Sequence, residues 1–180
     1  MWIDTHCHLD FHPLQTHIHS VMHESRKQGV DAIVIPSVDV HNIDTVISLS
    51  EAYPECCYAL GVHPLFVKTM NPEDLEVLTQ KVRQHNPVAI GETGLDLFVS
   101  KNNIDVQEYY FSEQLRIASE FDLPVIMHVR SAIDLILKHL RRVEVRGGIA
   151  HAFNGSFQQA EQLIERGFKL GFGGAMTNPR

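Results

Sequence analysis

The sequence predicts a parallel α/β barrel, and three observations carry that prediction. Seven short apolar runs alternate with amphipathic stretches along the 180 residues. The runs recur every roughly 20–36 residues, the size of a strand–helix unit. Four of the seven end in a histidine or a glutamate, and a fifth, Cys57–Val62, is followed directly by His63. In a closed parallel barrel the carboxyl ends of all strands gather on one face, where active sites sit. In an open sheet those polar residues would be strung along a line and could not meet, so closure is the better reading.

The runs are Trp2–His8, Val30–Pro36, Cys57–Val62, Val88–Glu92, Pro124–His128, Gly148–His151 and Phe168–Gly173. They are β-branched or apolar and short, as strands buried on both faces are. Helix signals lie between them. Asn71-Pro72-Glu73-Asp74 places a capping residue before a proline and first-turn acids. Ser131 with Asp134, and Ser156 with Gln159, have capping-box spacing. Val106, Tyr110, Ile117 and Phe121 fall on one helical face. Gly29 and Gly167 stand where helices end in a left-handed residue.

Length and composition fit one domain over residues 1–180, with 44% hydrophobic and 21% charged residues. Disorder and a membrane span are excluded, because apolar residues are ample but never form a long uninterrupted run. The amino terminus has neither a basic region nor an apolar signal core, which suits the cytoplasm. So do three cysteines, two of them adjacent, which make no disulfide framework. A net charge of −7 argues against holding duplex nucleic acid by counterion release. It leaves room for a nucleic-acid substrate if metal ions supply positive charge locally.

Twelve histidines outnumber nine arginines and six lysines. His12, His17, His19, His23, His41, His85 and His139 fall in helices or loops and read as solvated or capping residues. The other five end strands. His6 and His8 are two apart, so on a strand they share a face, with Asp4 one step earlier. His63 directly follows one further run, and Glu92, His128 and His151 end three more. Imidazole with carboxylate suits borderline ions such as zinc, manganese, iron or nickel. A carboxylate can also bridge two ions, and ions so placed lower the pKa of bound water. Arg130, two residues beyond His128, reads as a phosphate or carboxylate contact or as a structural ion pair. Asp96 reads as a partner for a ligating histidine or as a turn residue. Cys7 points away from its histidine neighbours and reads as packing.

These residues resemble a known family. Asp4-Thr5-His6-Cys7-His8, Gly61-Val62-His63-Pro64, Gly91-Glu92-Thr93-Gly94-Leu95-Asp96, Pro124-Val125-Ile126-Met127-His128-Val129-Arg130 and His151-Ala152-Phe153-Asn154-Gly155 occur in order. Together they are similar to the TatD family of metal-dependent deoxyribonucleases, within the amidohydrolase-like hydrolases. The resemblance implies a TIM-type (β/α)8 barrel, two divalent ions (zinc, manganese, magnesium, iron or nickel) and phosphodiester hydrolysis, commonly 3′-to-5′ trimming of DNA. It implies that His6 and His8 hold one ion, that Glu92 bridges, and that His128 and His151 hold the other. His63 and Arg130 would lie near the substrate phosphate, with Glu92 and His63 taking part in catalysis. Asn154 replaces the family's usual serine. The family's eighth strand, with its acidic run, has no counterpart before Arg180, so the expectation is an incomplete barrel lacking its last strand and helices, with activity impaired. Exposed sheet edges would then invite self-association. Two other readings stand beside this one: an amidohydrolase acting on a small C–N substrate, and a non-catalytic fragment.

Overall fold

The computed structural model describes residues 2–99, 102–173 and 177. Strands and helices alternate as β1 (Trp2–Asp4), α1 (Ile18–Lys27), β2 (Val30–Pro36), α2 (Ile43–Ala52), β3 (Cys56–Leu60), α3 (Asp74–His85) and β4 (Ala89–Asp96), followed by α4 (Ile104–Glu120), β5 (Val125–Arg130), α5 (Ile133–Leu140), β6 (Gly148–His151), α6 (Phe157–Glu165) and β7 (Phe168–Leu170). Each strand pairs in parallel with the next, in the order β1 to β7. Neighbouring strands lie about 4.8 Å apart, so a flat sheet would hold β1 and β6 about 24 Å apart. Instead the ring of His6, just past β1, stacks on that of His151, the last residue of β6, with centroids 3.7 Å apart. The seven described strands are therefore curled toward a barrel rather than laid flat.

Alternation along the strands explains why the runs are apolar throughout. Ile33, Ile35, Leu60, Ile90, Val125 and Met127 face outward into the core shared with the helices. Between them Val34, Ala59, Ala89 and Ile126 form a separate cluster inside the curl. On β5 the inward set continues in steps of two from Ile126 to His128 and Arg130, climbing to the rim.

Between β4 and β5 the register slips. Ile90 lies opposite Val125 and Thr93 opposite Met127, so three steps on β4 match two on β5. Glu92 sits in this bulge, a device that re-aims a side chain. The strands approach closely here. A Cβ on Gly94 (φ +139°) would stand 2.1 Å from the His128 carbonyl oxygen, and only glycine escapes that clash.

Several boundaries differ from the sequence expectation. β1 ends at Asp4, and β7 at Leu170, each shorter than its apolar run. The chain still tracks β2 beyond β1, since the Cys7 N–H donates to the Val34 carbonyl at 3.0 Å. β4 runs on to Asp96. Ser156 and Gln159 form the capping box, and Gly29 and Gly167 have φ of +78° and +81°. Ser131 does not cap: α5 begins after Ala132 without a side-chain cap, and the Asp134 carboxylate instead accepts from Gln159 Nε2 at 2.8 Å. On α4 Val106 is exposed, and the buried face carries Gln107, Tyr110, Phe111, Gln114 and Ala118. Two glutamines inside that face broke the apolar pattern.

Candidate metal centre

The predicted residues converge at the mouth of the curl. His6 and His8 follow β1, His63 follows β3, Glu92 lies on β4, His128 on β5 and His151 on β6. All six line one cavity of about 770 Å3, together with Arg130, Phe153, Asn154 and Phe172. Glu92 is its centre and is 2% exposed. Its Oε2 lies 3.2 Å from Nε2 of both His6 and His8, and 3.6 Å from Nε2 of His63. Its Oε1 lies 3.0 Å from Nδ1 of His128. Two sets of ligand atoms result, His6–His8–Glu92 and His63–Glu92–His128, sharing the carboxylate. His151 stands beside them, stacked on His6.

The electrostatics follow from burial and neighbours. Burial opposes charge on Glu92, but hydrogen bonds from His128, His6 and His8 outweigh it and hold the carboxyl well below the usual carboxylate range. Burial pushes His63 down to about 4, against the pull of Glu92. Burial and the nearby His6 likewise push His151 down to about 4. Burial also works against charge on His128, yet Glu92 and Asp96 on either side overcome it and raise the pKa.

This donor set fits a divalent cation. Neutral imidazoles and an ionised carboxylate are the forms that bind borderline ions. Nitrogen atoms of His6 and His8 face one another at 3.2 Å. Among the described residues the buried Nδ1 atoms of His6 and His8 have no hydrogen-bond partner.

Asp96 fills both of the roles open to it. Its Oδ2 lies 2.9 Å from Nε2 of His128, and its Oδ1 accepts the N–H groups of Phe98 and Val99. The first contact turns His128 Nδ1 toward Glu92, the usual way a carboxylate orients a ligating imidazole. Arg130 makes no ion pair among the described residues. Its guanidinium lies 4.0 Å over the ring of Phe98, which is 67% exposed.

Other supports escaped the sequence reading. Gln107 and Gln114, two turns apart on α4, each clamp a backbone amide. Gln114 accepts from the Val62 N–H at 2.7 Å and donates to the Val62 carbonyl at 3.0 Å. Gln107 accepts from the Asp96 N–H at 2.8 Å and donates to the Asp96 carbonyl at 3.2 Å. One helix thus fixes the residue before His63 and the partner of His128. Asp10 is buried and faces His8 Nδ1 at 3.8 Å, while Asn42 Nδ2 donates to its other oxygen at 2.6 Å. The two-residue step from His8 to Asp10 was a readable signal. Nothing local points to Asn42.

A curled parallel sheet with a histidine–glutamate cluster at the carboxyl ends of its strands defines a metal-dependent hydrolase of the barrel type. A family model for TatD related DNase matches residues 3–180. The chain belongs to that family. It is 39% identical to the metal-dependent hydrolase YjjV of Escherichia coli K12, over 99% of this chain and 70% of that protein. It is 32% identical to the 3′-5′ ssDNA/RNA exonuclease TatD of Salmonella typhimurium, over 84% of this chain and 59% of that one. The crystal structure of E. coli YjjV superposes with a TM-score of 0.94 at 37% identity, covering 99% of this chain and 70% of that one. Among the described residues no helix is long and apolar enough to cross a membrane.

Proposed function

We propose that residues 1–180 act as one barrel domain that binds two divalent ions and hydrolyses phosphodiester bonds, at an impaired rate, trimming DNA from its 3′ end. The observation that carries this reading is the single buried carboxylate of Glu92 between two groups of imidazole nitrogens. The name of the Salmonella relative supports a single-stranded nucleic acid as the substrate. When bound, a pair of such ions supplies Lewis-acid activation of water and neutralises charge on the phosphodiester. Zinc, manganese, iron and nickel suit these donors better than magnesium, which prefers an all-oxygen shell.

His6 and His8 would hold one ion and His128 and His151 the other, with Glu92 reaching both. The distances alone would place His63 in the second set. Its other nitrogen argues against this. His63 Nδ1 accepts the Leu65 N–H at 3.1 Å, so the neutral ring carries its proton on Nε2. A ring in that form donates rather than ligates. We assign its N–H to an oxygen of the scissile phosphate, where it withdraws charge as the P–O bond breaks. Arg130, held at the rim by Phe98, offers a second positive contact to the strand. With a net charge of −7, the chain would draw its affinity for an anionic substrate from these local charges.

Metal content and exonuclease activity of wild type, His63→Ala and His151→Ala test the assignment. His151→Ala is expected to lose one ion. His63→Ala is expected to keep both and lose turnover. The reverse pattern would exchange their roles, and no metal uptake by wild type would overturn the reading. Self-association is supported by β1 and β7, which each pair on one side only among the described strands. Trp2 and Ile3 on β1 are also 70% and 55% exposed. Sedimentation as a monomer at high concentration would remove that part.

A further inference from the structure

A second cavity lies against the metal centre. It measures about 240 Å3 and is lined by His8, Phe11, Val38, His63 and Phe66. His8 and His63 also line the large cavity, so these two imidazoles form a wall common to both. On the small side that wall meets aromatic rings. Phe11 stands edge-on to His8, with centroids 5.6 Å apart, and Phe66 edge-on to His63, with centroids 6.0 Å apart. Phe11 is 40% exposed. Val38 is buried at the carboxyl end of β2, and its N–H is taken by Asn42. Among the described residues no Asp, Glu, Lys or Arg lines this pocket, in contrast to Arg130 and Glu92 in its neighbour.

We infer that this pocket receives the nucleobase of the nucleotide whose phosphate lies at Glu92, an inference that rests on the phosphodiester reading above. A phosphate contacting His63 Nε2 carries its sugar and base to one side or the other of the shared wall. The small pocket offers two phenylalanine rings and a valine, which match the flat, apolar faces of a base. It falls below the roughly 300–1,000 Å3 typical of drug-sized ligands, a size suited to one ring system. Stacking on aromatic side chains is sequence-tolerant, because every base has a π-face. The pocket therefore secures the nucleotide without choosing among the four bases. The large cavity, with Arg130 and Phe153 at its far side, is left for the rest of the strand.

The test uses the whole chain and a short single strand protected by phosphorothioate linkages, with 2-aminopurine at either of its last two 3′ positions. In wild type the probe is expected to bind, and its fluorescence to be quenched at one of the two positions. Phe11→Ala and Phe66→Ala should remove the quenching and weaken binding roughly ten- to a hundredfold. Phe11→Trp should restore both. A strand with an abasic residue at that position should bind wild type and Phe11→Ala equally. Quenching and affinity unchanged in both alanine variants would overturn the pocket and leave the phosphodiester reading standing. A strand that does not bind wild type at all would overturn both.

Discussion

The two ends of the ligand set are supported very differently. His128 projects from β5, an interior strand, and its second nitrogen is taken by Asp96 at 2.9 Å. Asp96 is itself fixed by the Phe98 and Val99 N–H groups and, through its backbone, by Gln107. His6 and His8 follow an edge strand whose three residues are all exposed. Among the described residues the Nδ1 of His6 has no partner, and that of His8 faces Asp10 only at 3.8 Å, beyond hydrogen-bond reach. The outer nitrogen of His128 is thus held through Asp96, whereas among the described residues those of His6 and His8 share a single near contact. Preorganised ligands bind metal more tightly than ligands that must be ordered on binding. Calorimetric titration should therefore show two unequal steps, with the tighter one on the His128 side.

Substitutions can break that asymmetry. Glu92→Gln removes the one ligand common to both sets. Both steps should be lost, each by more than the roughly 100-fold that loss of an outer hydrogen-bond partner costs, as read by metal content after dialysis. Asp96→Asn retains an oxygen for Phe98 and Val99 but presents an amide to His128. It should weaken the tighter step alone by about 10–100-fold, bringing the two steps together. Asp10→Asn should weaken the other step by less than about tenfold, because the contact it alters is already long. If Asp10→Asn costs more than Asp96→Asn, the ordering of the two sites is wrong. Phe98→Ala should leave both steps unchanged and raise KM for single-stranded DNA about two- to fivefold, the value of an exposed cation–π contact.

The same contrast explains what the sequence could reveal. Residues placed by strand alternation were legible. His128 lies two beyond inward-facing Ile126, and His6 and His8 are two apart, so one period of the backbone sets them all. The closure of the sheet was legible too, because polar residues at five strand ends have no use unless they meet. Gln107 and Gln114 were not legible. Each reads as an ordinary helix residue until its helix is docked, and its partner is a backbone amide, which has no signature in the sequence. Asn42 reaches Asp10 across 32 positions for the same reason. The bulge at Glu92 was not legible: Gly91 and Gly94 stand on either side of it in the sequence, but neither gives a change of register. Ser131 misled because its spacing to Asp134 satisfies a local rule, while Gln159 of the next helix holds the acid.

Cys7 stands between two histidines and takes no part in the site. It packs against the core, and burial, with Asp4 adding to it, pushes its thiol up to about 12. Its backbone N–H, paired with Val34, fixes which way the segment faces. A slip of one residue would turn a sulfur inward in place of two nitrogens. Thiolate donors favour soft ions such as copper(I), whereas imidazole and carboxylate favour harder ones. One hydrogen bond to β2 therefore keeps two imidazoles, and not a thiol, facing Glu92.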